Sequence, residues 1–315
     1  MKVTPPMSAS QFSSGDVIAD RRADYARMLG ESDEFAAAAE LMEQALEITP
    51  QWAAGWFRLG EYREKAGLTE PAISAYRQTL ALDPEDVFAA TLKLALLGAA
   101  DVPEQPPSRY VESLFDDYAD RFDTALVEKL DYSVPGKLAA LVRPHAPFAS
   151  VVDLGCGTGL FGAEIRDVAT RLEGFDISAN MLARAERKQI YDHLGQSDLT
   201  LPADQSGLFE GLQNHRADLV SAADVLMYLG SLETVFPLVT ELLAPAGLFA
   251  FSVEDAGGGN GFVLRESMRY AHAEDYIFGL LQTYGYDLIE SEKTVIRMDG
   301  GNAIHGILFL SRKAG

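Results

Sequence analysis

The sequence predicts an α/β protein: a seven-stranded, largely parallel sheet with helices on both faces, preceded by a smaller all-α module. Three observations carry that prediction. A glycine-rich stretch at residues 151–160 reads as a strand, a tight turn and a helix start. Strand-length apolar runs alternate with helical patterns from Ala149 onward. An Ala-rich helical region ahead of them repeats with a period of 34 residues.

Composition bounds what such a chain can do. Its 315 residues are 48% hydrophobic and 23% charged, enough for a large core in one large domain and one smaller one. A net charge of −21 argues against nucleic acid or a membrane surface as partner, because both need a basic face. The single cysteine, Cys156, excludes an internal disulfide and a Cys-based zinc site. No H-E-x-x-H or spaced carboxylate set suggests a metal. The first thirty residues lack a signal-peptide pattern and no apolar run reaches membrane-spanning length, so the expected location is cytoplasmic.

Residues 1–18, with Pro5, Pro6 and four serines, read as a poorly ordered tail. Residues 19–97 read as helical repeats. Pro50 and Pro84 lie 34 residues apart, as do Ala38 and Ala72, and each proline follows an Ala/Leu-rich helix. Trp56, Leu59, Gly60, Ala72, Tyr76 and Pro84 stand at spacings that resemble the tetratricopeptide repeat (TPR), a helix-turn-helix unit. Asp86 to Leu97 reads as a closing helix. The resemblance implies capture of a protein partner; packing or dimerisation is the alternative use of so short an array. Residues 98–108, with three prolines, read as a linker, and residues 109–315 as the α/β domain. Within Tyr110 to Leu130, Phe115, Tyr118 and Phe122 fall on one helix face.

Strands are expected near 150–154, 171–175, 196–199, 217–222 and 247–253, with a final pair near 286–297 and 303–311 joined through Asp299-Gly300-Gly301-Asn302. The first strand runs into Asp153-Leu154-Gly155-Cys156-Gly157-Thr158-Gly159, and Phe161, Ile165 and Val168 mark the helix that follows. Glycines there let the backbone take positive φ and let a ligand approach closely. A dinucleotide site wants a further glycine where Leu160 stands, which disfavours that reading. The stretch resembles the first motif of class I S-adenosylmethionine (SAM)-dependent methyltransferases, whose Rossmann-like seven-stranded sheet ends in an antiparallel strand.

That resemblance extends to other stretches. Asp176-Ile177-Ser178 with Met181 resembles the family's second motif, which implies that Asp176 takes the ribose hydroxyls while Ile177 and Met181 pack on the adenine. Asp198 and Leu199 stand where an acid meets the adenine amino group. Asp224 and Tyr228 stand near the methionine end of SAM and the acceptor. The aromatic helix ahead of the sheet, with Tyr118, matches a segment that in the family covers the cofactor. The resemblance thus implies SAM bound by Tyr118, Asp153, Gly155, Cys156, Gly157, Thr158, Gly159, Asp176, Ile177, Met181, Asp198, Leu199 and Asp224. A methyl group would pass to a small-molecule acceptor, or to a protein captured by the TPR-like module. Among residues after the fifth strand, His272 is the first choice for a base or acceptor-orienting group, beside Tyr228, and His305 the second. Arg265 and Arg269 are candidates for an acceptor carboxylate or phosphate, or for salt bridges on a helix surface. A non-catalytic scaffold is the reading from another class, and a homodimer is possible.

Overall fold

The computed structural model describes residues 13–119, 133–299 and 301–314. The chain divides into two compact units, with the division between Ser113 and Leu114. The first unit holds five helices among its described residues: α1 (Val17–Glu31), α2 (Phe35–Ile48), α3 (Ala53–Lys65), α4 (Thr69–Leu82) and α5 (Ala90–Leu96). Each packs on the next in sequence. The expected tail stops short of residue 18. Asp16 caps α1 by accepting from the Ile18 and Ala19 N–H groups at 2.8 and 3.0 Å, and residues 1–12 lie outside the described residues. Gly60 is small for a physical reason, since a Cβ there would come within 2.5 Å of the Tyr76 ring. The closing helix is shorter than expected. The Asp86 carboxylate accepts from the Ala90 and Thr91 N–H groups at 2.6 and 3.0 Å, so residues 86–89 form its capping turn.

Helix α6 (Ser108–Tyr118) contains the division; the remainder of the aromatic segment, including Phe122, lies outside the described residues. The second unit continues with α7 (Val134–Val142), β1 (Phe148–Leu154), α8 (Leu160–Ile165), β2 (Ala169–Asp176), α9 (Ala179–Lys188), β3 (His193–Gln196) and β4 (Ala217–Ala222). After these come α10 (Val235–Leu242), β5 (Leu243–Asp255), β6 (Phe262–Leu264), β7 (Tyr270–His272), α11 (Glu274–Thr283), β8 (Tyr286–Asp299) and β9 (Asn302–Lys313). The main sheet runs β3-β2-β1-β4-β5-β9-β8. Its first five strands are parallel, and β9 is antiparallel to both neighbours, as expected for the seventh strand.

Period-2 alternation buries both faces. Val151, Leu172, Leu219 and Leu248 pack with Leu138 and Val142 of α7 and Phe161 and Ile165 of α8. Val152, Val220, Phe249 and Phe251 pack on the other side with α10 and α11.

Two expectations need correction. The third strand covers residues 193–196, ahead of the predicted 196–199. Gln196 pairs with Asp176, the last residue of β2, so no neighbour remains and the chain turns at Asp198. The segment after β5 is a hairpin, which removes the helix surface that one of the two expectations for Arg265 and Arg269 requires. Tyr270, Ala271 and His272 are all fully buried, which suits an inner strand, and the Arg265 N–H closes the link on the Arg269 carbonyl at 2.8 Å. Pairing between β4 and β5 stops at Phe251, while β9 follows β5 as far as Glu254. Strand β7, paired at Glu254 and Asp255, therefore takes the side of β5 that β4 has left.

Candidate functional site

The carboxyl ends of β1, β2 and β4 lie side by side, where ligands of open α/β sheets bind. At the end of β1 the three glycines have φ of +61° (Gly155), +53° (Gly157) and +89° (Gly159), the left-handed region that a side chain resists. A Cβ at Gly155 would also overlap the Val225 side chain. The Cys156 N–H donates to the Phe175 carbonyl at 2.9 Å and stitches the turn to β2. The Cys156 thiol is buried, which pushes its pKa well up and leaves it without thiolate character. Thr158 is buried within the turn.

Asp153 lies beneath the turn with both oxygens engaged. Oδ1 accepts from Ser221 Oγ at 2.8 Å and Oδ2 from Tyr191 Oη at 2.7 Å. Burial raises its pKa to about 7 against those two hydrogen bonds.

Asp176 closes β2. Oδ2 accepts from the Gly157 N–H at 2.8 Å and Oδ1 from the Ser178 N–H at 2.9 Å, and burial raises its pKa to about 6. Ser178 caps α9 by accepting from the Met181 N–H at 3.0 Å, while its hydroxyl donates to Asp116 Oδ1 at 2.6 Å. Asp116 of α6 also accepts from the Asn180 N–H at 3.2 Å, which ties the last turn of α6 to the start of α9. The same turn carries Tyr118 and Phe115, whose ring meets Tyr228 edge-on at 4.9 Å. Met181 is fully buried, and the Ile177 carbonyl accepts from Gln196 Nε2 at 2.8 Å. Asp198 sits in the turn after β3, with Oδ1 held by the N–H and hydroxyl of Thr200; Leu199 joins the core.

Asp224, just beyond β4, has φ +59°, and its N–H donates to Ser252 Oγ at 2.8 Å. Its carboxylate pairs with Arg297 of β8, a residue 3% exposed that also binds Glu254 at the end of β5. Burial raises the Asp224 pKa against the opposing effect of Arg297. Arg269 donates to Tyr228 Oη at 3.3 Å, lies over that ring with its guanidinium 5.8 Å from the centroid, and pairs with Asp299 at 3.2 Å. The register of β8 on β9 shifts between Val295 and Arg297, a bulge of the kind that re-aims a side chain.

The structure gathers the glycine turn, Asp176, Asp224, Tyr228 and Arg269 at one sheet edge. It leaves other candidates elsewhere. His272 is fully buried, and its Nε2–H donates to the Gly230 carbonyl at 2.9 Å. Burial lowers its pKa to about 4, so the ring stays neutral and its one proton is committed to the main chain. That bond supports the loop after Tyr228, while Nδ1, which carries the lone pair a base would use, is fully buried and has no hydrogen-bond partner among the described residues. His305 is exposed on β9 opposite Val295. Arg265 donates to the Asp255 and Ala256 carbonyls at 3.4 and 3.2 Å. Sequence reasoning missed Tyr191, Asp116 and Arg297. Only Asp116 had a signal, its place in the aromatic helix.

A family model described as a methyltransferase domain matches residues 126–293, just over half of the chain. The chain belongs to that methyltransferase-domain family. Among curated relatives, the malonyl-[acyl-carrier protein] O-methyltransferase of Enterobacter lignolyticus (strain SCF1) is 33% identical over 110 residues, 35% of this chain and 40% of that protein. The trans-aconitate 2-methyltransferase of Paracidovorax citrulli (strain AAC00-1) is 32% identical over 114 residues, 36% of this chain and 41% of that protein. The chain thus spans about two fifths of the length of these curated relatives. A solved structure of the Burkholderia thailandensis 1,6-didemethyltoxoflavin-N1-methyltransferase, with 1,6-didemethyltoxoflavin and S-adenosylhomocysteine bound, superposes with a TM-score of 0.51 at 19% identity. It covers 69% of this chain and 94% of that one. The [4+2]-cyclase SpnF gives the same TM-score at 13% identity, covering 68% and 98%. At those identities the likeness is one of fold. Among the described residues no helix is long and apolar enough to cross a membrane, and no group of His, Cys, Asp or Glu could hold a metal ion.

Proposed function

We propose that this protein is a SAM-dependent methyltransferase acting on a small-molecule acceptor. The observation that carries the reading is the Asp176 carboxylate at the end of β2, facing the glycine turn with one N–H bond on each oxygen. Each oxygen keeps a second lone pair, which is what two ribose hydroxyls require. The group fits the residues present, because the Asp176 carboxylate stands beside the positive-φ Gly157, whose N–H it binds, at the carboxyl ends of β1 and β2 where open α/β sheets take their ligands.

SAM supplies a methyl group on a sulfonium, which a nucleophile displaces in line. This chain's part is to hold and align. Asp176 and the turn hold the adenosine end, with Ile177 and Asp198 beside the base; Met181, fully buried, and Leu199, in the core, stand behind them. Asp224, fixed by Arg297, borders the methionine end. Tyr228, Phe115 and Arg269 form the acceptor side, where the Arg269 guanidinium suits an acidic group on the acceptor. Two relatives, a malonyl-[acyl-carrier protein] O-methyltransferase and a trans-aconitate 2-methyltransferase, are named for acidic substrates, which agrees with an acidic acceptor. The TPR-like reading of the first unit assigns it to partner capture or dimerisation, supported by the near-contact of Gly60 with Tyr76 at the helix crossing.

A second reading is a non-catalytic scaffold that keeps the methyltransferase fold. Calorimetric titration with SAM and S-adenosylhomocysteine, followed by SAM-consumption assays on short carboxylates, separates the two. Micromolar binding lost in Asp176→Ala, with turnover on an acid, supports the proposal. No binding by well-folded protein stripped of ligand overturns it.

A further inference from the structure

We infer that Tyr191 is a positioning residue for the cofactor-binding turn, acting through Asp153; this rests on the SAM reading above. Gly159, Gly162 and Gly174, on three successive elements, make room for one ring. A Cβ at Gly159 would come 2.9 Å from the Tyr191 ring, one at Gly174 of β2 would come 2.8 Å from it, and one at Gly162 of α8 would overlap its hydroxyl. The ring thus sits where turn, helix and second strand converge, and no side chain larger than hydrogen fits at any of the three positions.

The chain around Tyr191 is pinned at both sides. The Asp192 N–H donates to the Leu172 carbonyl at 2.8 Å, and its carboxylate accepts from the Leu172 N–H at 2.8 Å. Arg166 donates to the Ile190 carbonyl at 3.1 Å and to Asp192 at 2.8 Å. From this fixed base the phenol donates to Asp153 at 2.7 Å, the acid from which the turn departs.

The assignment changes the role of Asp153. Both its oxygens are already held by protein hydroxyls, so it serves as the anchor beneath the turn, and the ligand-facing carboxylate is Asp176. The charged and titratable groups around Asp153 are Tyr191 from the α9–β3 link, Cys156 in the turn and Asp176 on β2, with the Ser221 hydroxyl on β4. Burial dominates its ionisation, and the Tyr191 hydrogen bond opposes that rise. Loss of the phenol O–H therefore moves the Asp153 ionisation upward in pH without removing any group that touches SAM.

The test is calorimetric titration of the full chain with SAM and S-adenosylhomocysteine between pH 5.5 and 8.5. It compares wild type, Tyr191→Phe, Asp153→Asn, the double variant, and Gly162→Ala, which crowds the hydroxyl from the helix side. Tyr191→Phe keeps the ring and should weaken both ligands by about tenfold, the scale of one hydrogen bond to a charged group. Its binding profile should shift to higher pH, and Gly162→Ala should weaken binding in the same sense. The double variant should bind no worse than Asp153→Asn alone, because the two act in series. A role in packing alone would lower melting temperature and leave the pH profile in place. Wild-type affinity and profile in Tyr191→Phe, or additive losses in the double variant, would overturn the inference while the SAM reading stands. A wild type that binds neither ligand would overturn that reading and this inference with it.

Discussion

Arg297 holds both carboxylate oxygens of Asp224 with one guanidinium nitrogen, at 3.0 and 3.1 Å, across the gap from β8 to the end of β4. The same side chain binds Glu254 and contacts Met227 Sδ at 3.1 Å. One buried cation thus serves two buried acids. Replacing it with methionine should cost about 3–5 kcal/mol, since breaking a buried pair leaves uncompensated charge. Adding Asp224→Asn and Glu254→Gln should restore most of that loss. Urea denaturation of wild type, Arg297→Met, the two acid replacements alone and the triple variant checks this, and simple additivity would refute the coupling.

If Asp176 takes the ribose as proposed, it should make SAM binding pH-dependent. Its pKa is raised to about 6, and the ionised carboxylate is the form that accepts two ribose hydroxyls. Affinity should rise between pH 5 and 7. Asp176→Ala should lose about a hundredfold or more at pH 7.5, from two hydrogen bonds to a charged group. Asp176→Asn should lose the step near pH 6 and keep the one near pH 7 that Asp153 contributes in the same titrations.

His272 affects stability with the opposite sign to the buried acids. Its pKa is lowered to about 4 from 6.5, so the unfolded chain takes up the proton first and stability falls as pH drops through that window. Asp153 and Asp176, raised to about 7 and about 6, give stability that is present at low pH and lost as pH rises through those values. Comparing wild type with His272→Gln subtracts the acids. The variant should gain on wild type by up to about 3 kcal/mol between pH 6.5 and 4. A difference that does not vary with pH in denaturant titrations would remove His272 from the account.

Gly60 and Tyr76 set the closeness of α3 and α4. Gly60→Ala should destabilise the first unit by about 1–3 kcal/mol through overpacking, and by less in a Tyr76→Ala background. Thermal melts of the four full-length proteins measure that coupling, and equal losses in both backgrounds would contradict it.

The parallel core was legible in the sequence because its signals are local and redundant. Asp153 to Gly159 combines strand, turn and helix start in a few residues, and Asp176 ends the next apolar run. Arg297 was not legible. It follows Glu290-Ser291-Glu292-Lys293 on a strand that reads as solvated, and only the bulge after Val295 and the packing of Ile296 place it inside. Tyr191 sits between a helix and a strand, with no periodicity to mark it, and its three glycines declare their purpose only when folded together. The β6–β7 hairpin has strands of three residues after a glycine run, too short for any pattern to emerge. The third strand was misplaced because its length is set by where β2 ends, a fact about the neighbour.

The position of β7 beyond the end of β4 constrains how the proposed acceptor side could vary. The wall that carries Arg269 toward Tyr228 hangs from main-chain bonds at Glu254 and Asp255, and its buried His272 fastens the stretch opposite through Gly230. Lengthening or shortening that wall would unzip the ladder, so this rim resists the insertions and deletions that ordinary surface loops tolerate. Exchange of single side chains on that fixed frame is the change it should tolerate, and amide protons of Tyr270 to His272 should exchange as slowly as those of the inner strands.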